Sequence, residues 1–350
     1  MAESFNARRA AKDLLQGIAP PRPLFLPIAF SIGARIENLP LRSYLSNSTK
    51  IVNALRQIRT HLRSDGATCY FDPCLEAEAL GATLDWDAAG QRPTLRWPAS
   101  ASAPPGELPE NLRAPDELPK SGRVPVAVDV ISRLRSLLRD DCLLMARVTG
   151  PRTLAAILTQ SRDSASAEFE SASEIPAAAI DFAADAVASI ARTFVEAGAN
   201  AILIHEQTPP PSAPEKTPTT FADWAAPFAQ TINIVRFYEA LPIVILPALD
   251  APTTTALQRA SPGWIVCQSL LEQSPGEPAP FDELRGTAFG LAIPPSICDP
   301  PAAQAVDARS RIMSLISESH PSIVTTAGEI PPAADIKLLN GIGDAARAKA

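Results

Sequence analysis

The sequence predicts a single (β/α)8 barrel. Eight short apolar segments recur along its 350 residues, each with the length and continuous apolarity of a strand buried on both faces. Helical segments with one apolar face separate them, and repeated βα units build either an open doubly wound sheet or a closed barrel. The count of eight favours the barrel. No GxGxxG or GxxxxGK[ST] loop is present, which argues against a nucleotide-binding sheet.

The elements follow in order. Residues 4–17 read as a helix ended by Pro20, Pro21 and Pro23. Residues 24–30 form the first apolar run. A helical period covers 42–64, with Tyr44, Ile51, Leu55 and Ile58 on one face, before Asp65-Gly66 turns the chain into a strand at 67–71. The segment 97–125 is rich in proline, serine and acidic residues and reads as an irregular excursion from one domain spanning 1–350. A helix at 125–139 leads to a strand at 142–148, and Thr149-Gly150-Pro151 opens a helix at 151–160. A long helix covers 177–197. Strands at 200–205, 242–247, 263–267, 287–293 and 322–326 then alternate with helices at 220–239, 252–260, 280–285, 301–318 and 332–347.

Composition narrows the function classes. A net charge of −7 and a pI near 5.2 disfavour nucleic acid or an anionic membrane as general partners, because both need a basic face. The 36 prolines, roughly twice the usual share of about 5%, stiffen loops. One such loop, Pro209 to Pro214, is placed over the barrel mouth as a lid, a docking surface or an ordinary stiff connection. Five dispersed cysteines without a CxxC pair fit a reducing, cytoplasmic setting. The first residues lack the apolar core of a signal peptide, and no run of about 18 apolar residues suggests a membrane span.

Four segments carry a family resemblance. Phe71-Asp72 with Glu76-Ala77-Glu78-Ala79-Leu80-Gly81, the turn Thr149-Gly150-Pro151, Ile204-His205-Glu206-Gln207 with Phe221 to Pro227, and Ala327-Gly328-Glu329 together resemble the uroporphyrinogen decarboxylase superfamily. The resemblance runs from about residue 20 to 345. It implies the barrel and one of two activities. One branch decarboxylates porphyrinogens without a cofactor; the other moves methyl groups between a corrinoid and a thiol or folate. The Glu-Ala-Glu-Ala-Leu-Gly and Thr-Gly-Pro wording is closer to the methyltransferases.

The resemblance also assigns roles. Asp72 matches the aspartate that decarboxylases place under the tetrapyrrole; its structural alternative is a helix cap or an arginine pair. Glu206 matches a glutamate at the end of the fourth strand and reads as an acceptor or general base, or as a salt-bridged loop carboxylate. Arg35, Arg147, Arg152 and His205 are candidate substrate-binding groups, the arginines for anions. Arg147 could instead pair internally with Asp72 or Glu206. Other family positions are not retained. Ala327 replaces the histidine of the decarboxylases or the cysteine of the methyltransferases, Ile157 replaces a tyrosine, and Leu246 and Ala248 fall where zinc ligands are expected. Zinc is therefore not expected, although His205, Glu206, Asp250, Cys267 and Cys298 lie at or just after strand ends that a barrel brings together.

The sequence reading is thus a divergent barrel enzyme that transfers methyl groups with a corrinoid or corrinoid protein, with Asp72 and Glu206 as catalytic anchors. A decarboxylase of a porphyrinogen or smaller acid, and a silent binding subunit, are the alternatives. The implied partners are a small or tetrapyrrole-like substrate, a corrinoid protein and, as one open assembly, a second copy of the chain.

Overall fold

In a computed structural model, residues 5–98, 106–138, 142–159, 175–210, 218–247, 253, 257, 265–269, 288–298 and 302–348 are described. Ten strands lie among them: β1 Leu24–Leu26, β2 Gly66–Tyr70, β3 Thr83–Trp86, β4 Pro93–Arg96, β5 Leu143–Thr149, β6 Ala201–His205, β7 Leu241–Leu246, β8 Ile265–Ser269, β9 Gly290–Ile293 and β10 Ile323–Thr326. Eight of them pair in parallel, in the order β1-β10-β9-β8-β7-β6-β5-β2. This is the predicted barrel.

Asp65 supplies backbone and side-chain hydrogen bonds that join the two ends of that ladder. The Asp65 N–H donates to the Phe25 carbonyl at 3.0 Å, and its carboxylate accepts from the Phe25 N–H at 2.8 Å. Arg22 grips both oxygens of the same carboxylate at 2.7 and 2.8 Å. A forked guanidinium on a mostly buried carboxylate holds β1 against the start of β2.

Strand residues are apolar because helices cover the outer face and packed side chains fill the inside. All seven residues of β5 are buried, Arg147 and Thr149 among them. The helices start and stop where their caps dictate. Asn47 accepts from Lys50 N–H and opens the helix Ser48–Leu62. Its extended backbone splits the predicted 42–64 helix into Leu41–Leu45 and Ser48–Leu62. The helix Ala177–Ala197 ends at Gly198, whose φ of 116° suits glycine alone. The first strand stops at Leu26, before Pro27, which has no ladder donor.

Two features were not anticipated. Strands β3 and β4 form an antiparallel hairpin outside the barrel, pairing Thr83 with Arg96 and Trp86 with Pro93. Its turn is closed by Asp87, whose carboxylate accepts from Gln91 N–H at 2.7 Å. Further on, the Pro-rich segment carries a 3-10 helix, Pro115–Lys120, docked on the long helix by the Ser189 hydroxyl donating to Pro115 O. The expected helices at 252–260 and 280–285, the rest of the proline loop beyond Pro210, and Asp250 lie outside the described residues, apart from helical Thr253 and Leu257. No helix among those described is long and apolar enough to cross a membrane.

Candidate active site

The C-terminal ends of β1, β2 and β10 open on a cavity of about 930 Å3, at the end where barrel enzymes act. It is lined by Ser31 after β1, Phe71 and Asp72 after β2, Glu329 after β10, and Trp86 and Arg92 from the hairpin. The hairpin is therefore a wall of the mouth, although it is no part of the barrel.

Asp72 is 4% exposed. One oxygen accepts from Cys74 N–H at 2.9 Å, fixing the turn into the next helix. The other lies 2.6 Å from Nη1 of Arg123, an ion pair whose N–H is not aligned with the contact. Arg123 also donates through Nε to Glu78 at 2.7 Å. Asp72 thus has both of the structural partners foreseen for it, and it still forms part of the cavity wall.

Arg147 turns to the helix Leu75–Leu80. Its Nη1 donates to Asp72 O at 3.0 Å and Thr149 Oγ1 at 2.8 Å, and approaches Glu76 at 3.4 Å. Glu76 is fully buried and accepts from Thr149 N–H and Oγ1 at 2.7 and 2.8 Å. The internal partner of Arg147 is therefore Glu76.

Glu206 faces the start of the helix Pro151–Thr159. It accepts from Arg152 N–H at 3.0 Å, from Thr208 N–H at 2.9 Å and from the Thr153 hydroxyl. A carboxylate here satisfies orphan amides and the helix dipole. Burial raises its pKa, and these donors oppose the rise. Arg152 donates to the carbonyls of Trp224 and Asp223 and lies 5.9 Å from the Trp224 ring.

His205 reaches across the mouth, its Nε2 2.9 Å from Ala327 O. A carbonyl only accepts, so Nε2 carries the proton. Burial and then the charge of Arg147 push its pKa down to about 4, so the ring is neutral at physiological pH. Because the folded value lies below the ordinary 6.5, the unfolded chain gains a proton first as pH falls. This contribution to stability is complete above pH 6.5 and is lost as pH drops towards 4. A His205→Asn variant should therefore show a smaller fall in Tm between about pH 7 and pH 4.5 than the parent, measured by scanning fluorimetry.

Arg35 is exposed and borders a neighbouring cavity. Cys267 is buried in the barrel wall against Gly290, and Cys298 is buried with its thiol pKa pushed up to about 12. Among the described residues no three of His, Cys, Asp and Glu gather into a metal-binding group. Ala327 offers a methyl group beside His205, and Leu246 is a buried aliphatic. These residues do not fit a zinc triad.

Sequence reasoning did not single out Glu329 as a candidate. It accepts from Phe30 N–H at 3.0 Å and from Ser31 N–H. Burial, aided by the negative charge of Asp72 and opposed by these donors, brings its pKa to about 7. A carboxyl group so poised at a cavity wall can both take and give a proton at neutral pH. The clue was its place in the last strand-end turn, at the mouth.

A family model described as uroporphyrinogen decarboxylase (URO-D) matches residues 10–246. The chain belongs to the URO-D family. The match ends with β7, so β8 to β10 and Glu329 lie beyond it. A methylated-thiol–coenzyme M methyltransferase of Methanosarcina mazei is 36% identical over 91 residues, 26% of this chain and 23% of that protein. The chain thus spans about a quarter of the length of the curated relative it matches. A solved methyltransferase from Methanosarcina mazei superposes over 99% of both chains with a TM-score of 0.72 and 14% identity. At that identity the likeness shows a shared URO-D barrel fold.

Proposed function

We propose that this URO-D barrel transfers a methyl group between a corrinoid, free or carried by a partner protein, and a small substrate held in the mouth. The observation that carries the reading is Glu329, a carboxyl group with a pKa near 7 in the wall of the same cavity as Asp72. The resemblance of part of the chain to a coenzyme M methyltransferase supports methyl transfer as the reaction class.

The chemistry requires a proton acceptor. A methylcorrinoid would supply the methyl group to a substrate X–H and retain the carbon–cobalt bonding pair, and the X–H proton would move to the Glu329 carboxylate. In the reverse direction protonated Glu329 returns that proton to X as the methyl group leaves. Activation of X thus falls to a carboxylate where a zinc triad does not fit, and a positioned general base contributes about 10²–10⁴-fold. Asp72, held by Arg123, keeps the cavity floor polar, and Glu206 fixes the helix behind it.

The test is visible spectroscopy of methylcobalamin demethylation with a panel of thiol, amine and hydroxyl acceptors. The expected result is turnover that rises with pH through about 7 and falls by about 100-fold or more in Glu329→Gln. Decarboxylation of a porphyrinogen in place of demethylation, or no reaction with any acceptor, overturns the proposal. The second of these outcomes points to a binding subunit.

A further inference from the structure

The mouth continues sideways into a second cavity of about 770 Å3. The two share Ser31, Leu41, Gln91 and Arg92 in their walls, so they form one bent groove with two lobes. The lobes differ in charge. In the first, Asp72 and Asp85 are already paired with Arg123 and Arg96. Asp87 and Glu329 are the remaining carboxylates of its wall; Asp87 accepts from Gln91 N–H and feels the charge of Arg92, which lines both lobes, so acids still outnumber cations in this wall. Trp86, partly buried, lines the same lobe beside them. The second lobe carries Arg35 and, at its border with the first, Arg92, both exposed, and no carboxylate.

We propose that the two lobes together bind one small zwitterion, with its alkylammonium end beside Trp86, Asp87 and Glu329 and its anionic end on Arg35 and Arg92. Carboxylates next to an indole suit an alkylated ammonium group, which is attracted both by charge and by the ring. Guanidinium forks suit a carboxylate, sulfonate or phosphate. A ligand with both ends gains from the second contact without a second association step, so it outcompetes either half supplied alone. Trp86, Asp87 and Arg92 all belong to the β3–β4 hairpin and its turn, so ligand choice resides largely in that hairpin. The inference rests on the reading above only in placing the small substrate in the mouth, and binding can be measured with no corrinoid present.

Isothermal titration calorimetry would compare trimethylammonio-butanoate, tetramethylammonium and butanoate on the full chain. The zwitterion should bind at least about tenfold more tightly than either half. Arg92→Gln should weaken the zwitterion and butanoate and leave tetramethylammonium unchanged. Asp87→Asn should do the reverse for the two single-charge probes. Arg92 is exposed, and Asn at position 87 can still accept from Gln91 N–H and close the turn, so both variants should keep the parent melting temperature, which is checked first; Glu329→Gln replaces Asp87→Asn if the hairpin is disturbed. Equal binding of the zwitterion and one half, no binding of any probe, or a charge ranking unchanged by both variants overturns the inference. Zwitterion binding without methylcobalamin turnover would sustain it while the methyl-transfer reading failed; turnover without zwitterion binding would do the opposite.

Discussion

Replacing Glu76 with alanine is expected to cost about 3–5 kcal/mol of folding stability, the usual penalty for breaking one partner out of a buried ion pair. Glu76 is fully buried and the Arg147 side chain is 3% exposed. The substitution strands a guanidinium in the middle of β5 and removes the acceptor for Thr149 N–H and Oγ1. Thr149 precedes Gly150, where the chain turns into the helix that Glu206 caps, so the damage spreads across the mouth. Glu76→Gln should cost less, because its carbonyl oxygen can still accept from Thr149. The double replacement Glu76→Leu with Arg147→Met should recover much of the loss, since no charge is then left unanswered. Urea unfolding would measure all three, and a loss under about 1 kcal/mol in Glu76→Ala would show that the pair is relaxed into solvent.

The second large effect is expected at Gly290→Ala in β9. A Cβ at this position would sit 2.0 Å from the Cys267 sulfur and 3.2 Å from its Cβ. Both residues lie in paired strands, so neither can retreat far, and overpacking of this kind costs about 1–3 kcal/mol, occasionally more. Cys267→Ala removes the sulfur. The pair Gly290→Ala with Cys267→Ala should therefore be more stable than Gly290→Ala alone, with a coupling of at least about 1 kcal/mol in a double-mutant cycle. Additive losses would mean that the clash is relieved elsewhere.

The barrel was legible because most strands are short, largely apolar runs and the helices between them have one apolar face. Those signals are local. Asp72 and Glu206 were legible as polar residues closing such runs. Their partners were not. Arg123 meets Asp72 across 51 residues of sequence that include the hairpin and the Pro-rich segment, and Arg147 finds Glu76 across 71. Which acid answers which base is decided by barrel closure and helix docking, and no short spacing encodes that. Glu329 stood in a turn already singled out, yet its proton affinity depends on burial and on Asp72, both properties of the folded mouth. The hairpin escaped because each strand is only four residues long with no fully buried position, so the alternation in Thr83-Leu84-Asp85-Trp86 is too brief to stand out. Its mark was the Asp87 to Gly90 turn between Thr83-Leu84 and Thr94-Leu95.

Mechanically, the ring of strands is a hoop with one soft join. The other junctions are sewn by rows of parallel amide bonds, whereas β1 meets β2 through Asp65 and the arginine that grips it. A loaded hoop yields first where it is fastened by a clasp. Above this clasp stand the loops carrying Ser31 and Asp72, which line the same cavity. Along that line the mouth is held by this clasp and by side-chain packing such as Phe30 on Tyr70, while elsewhere it is held by a seam of amide bonds.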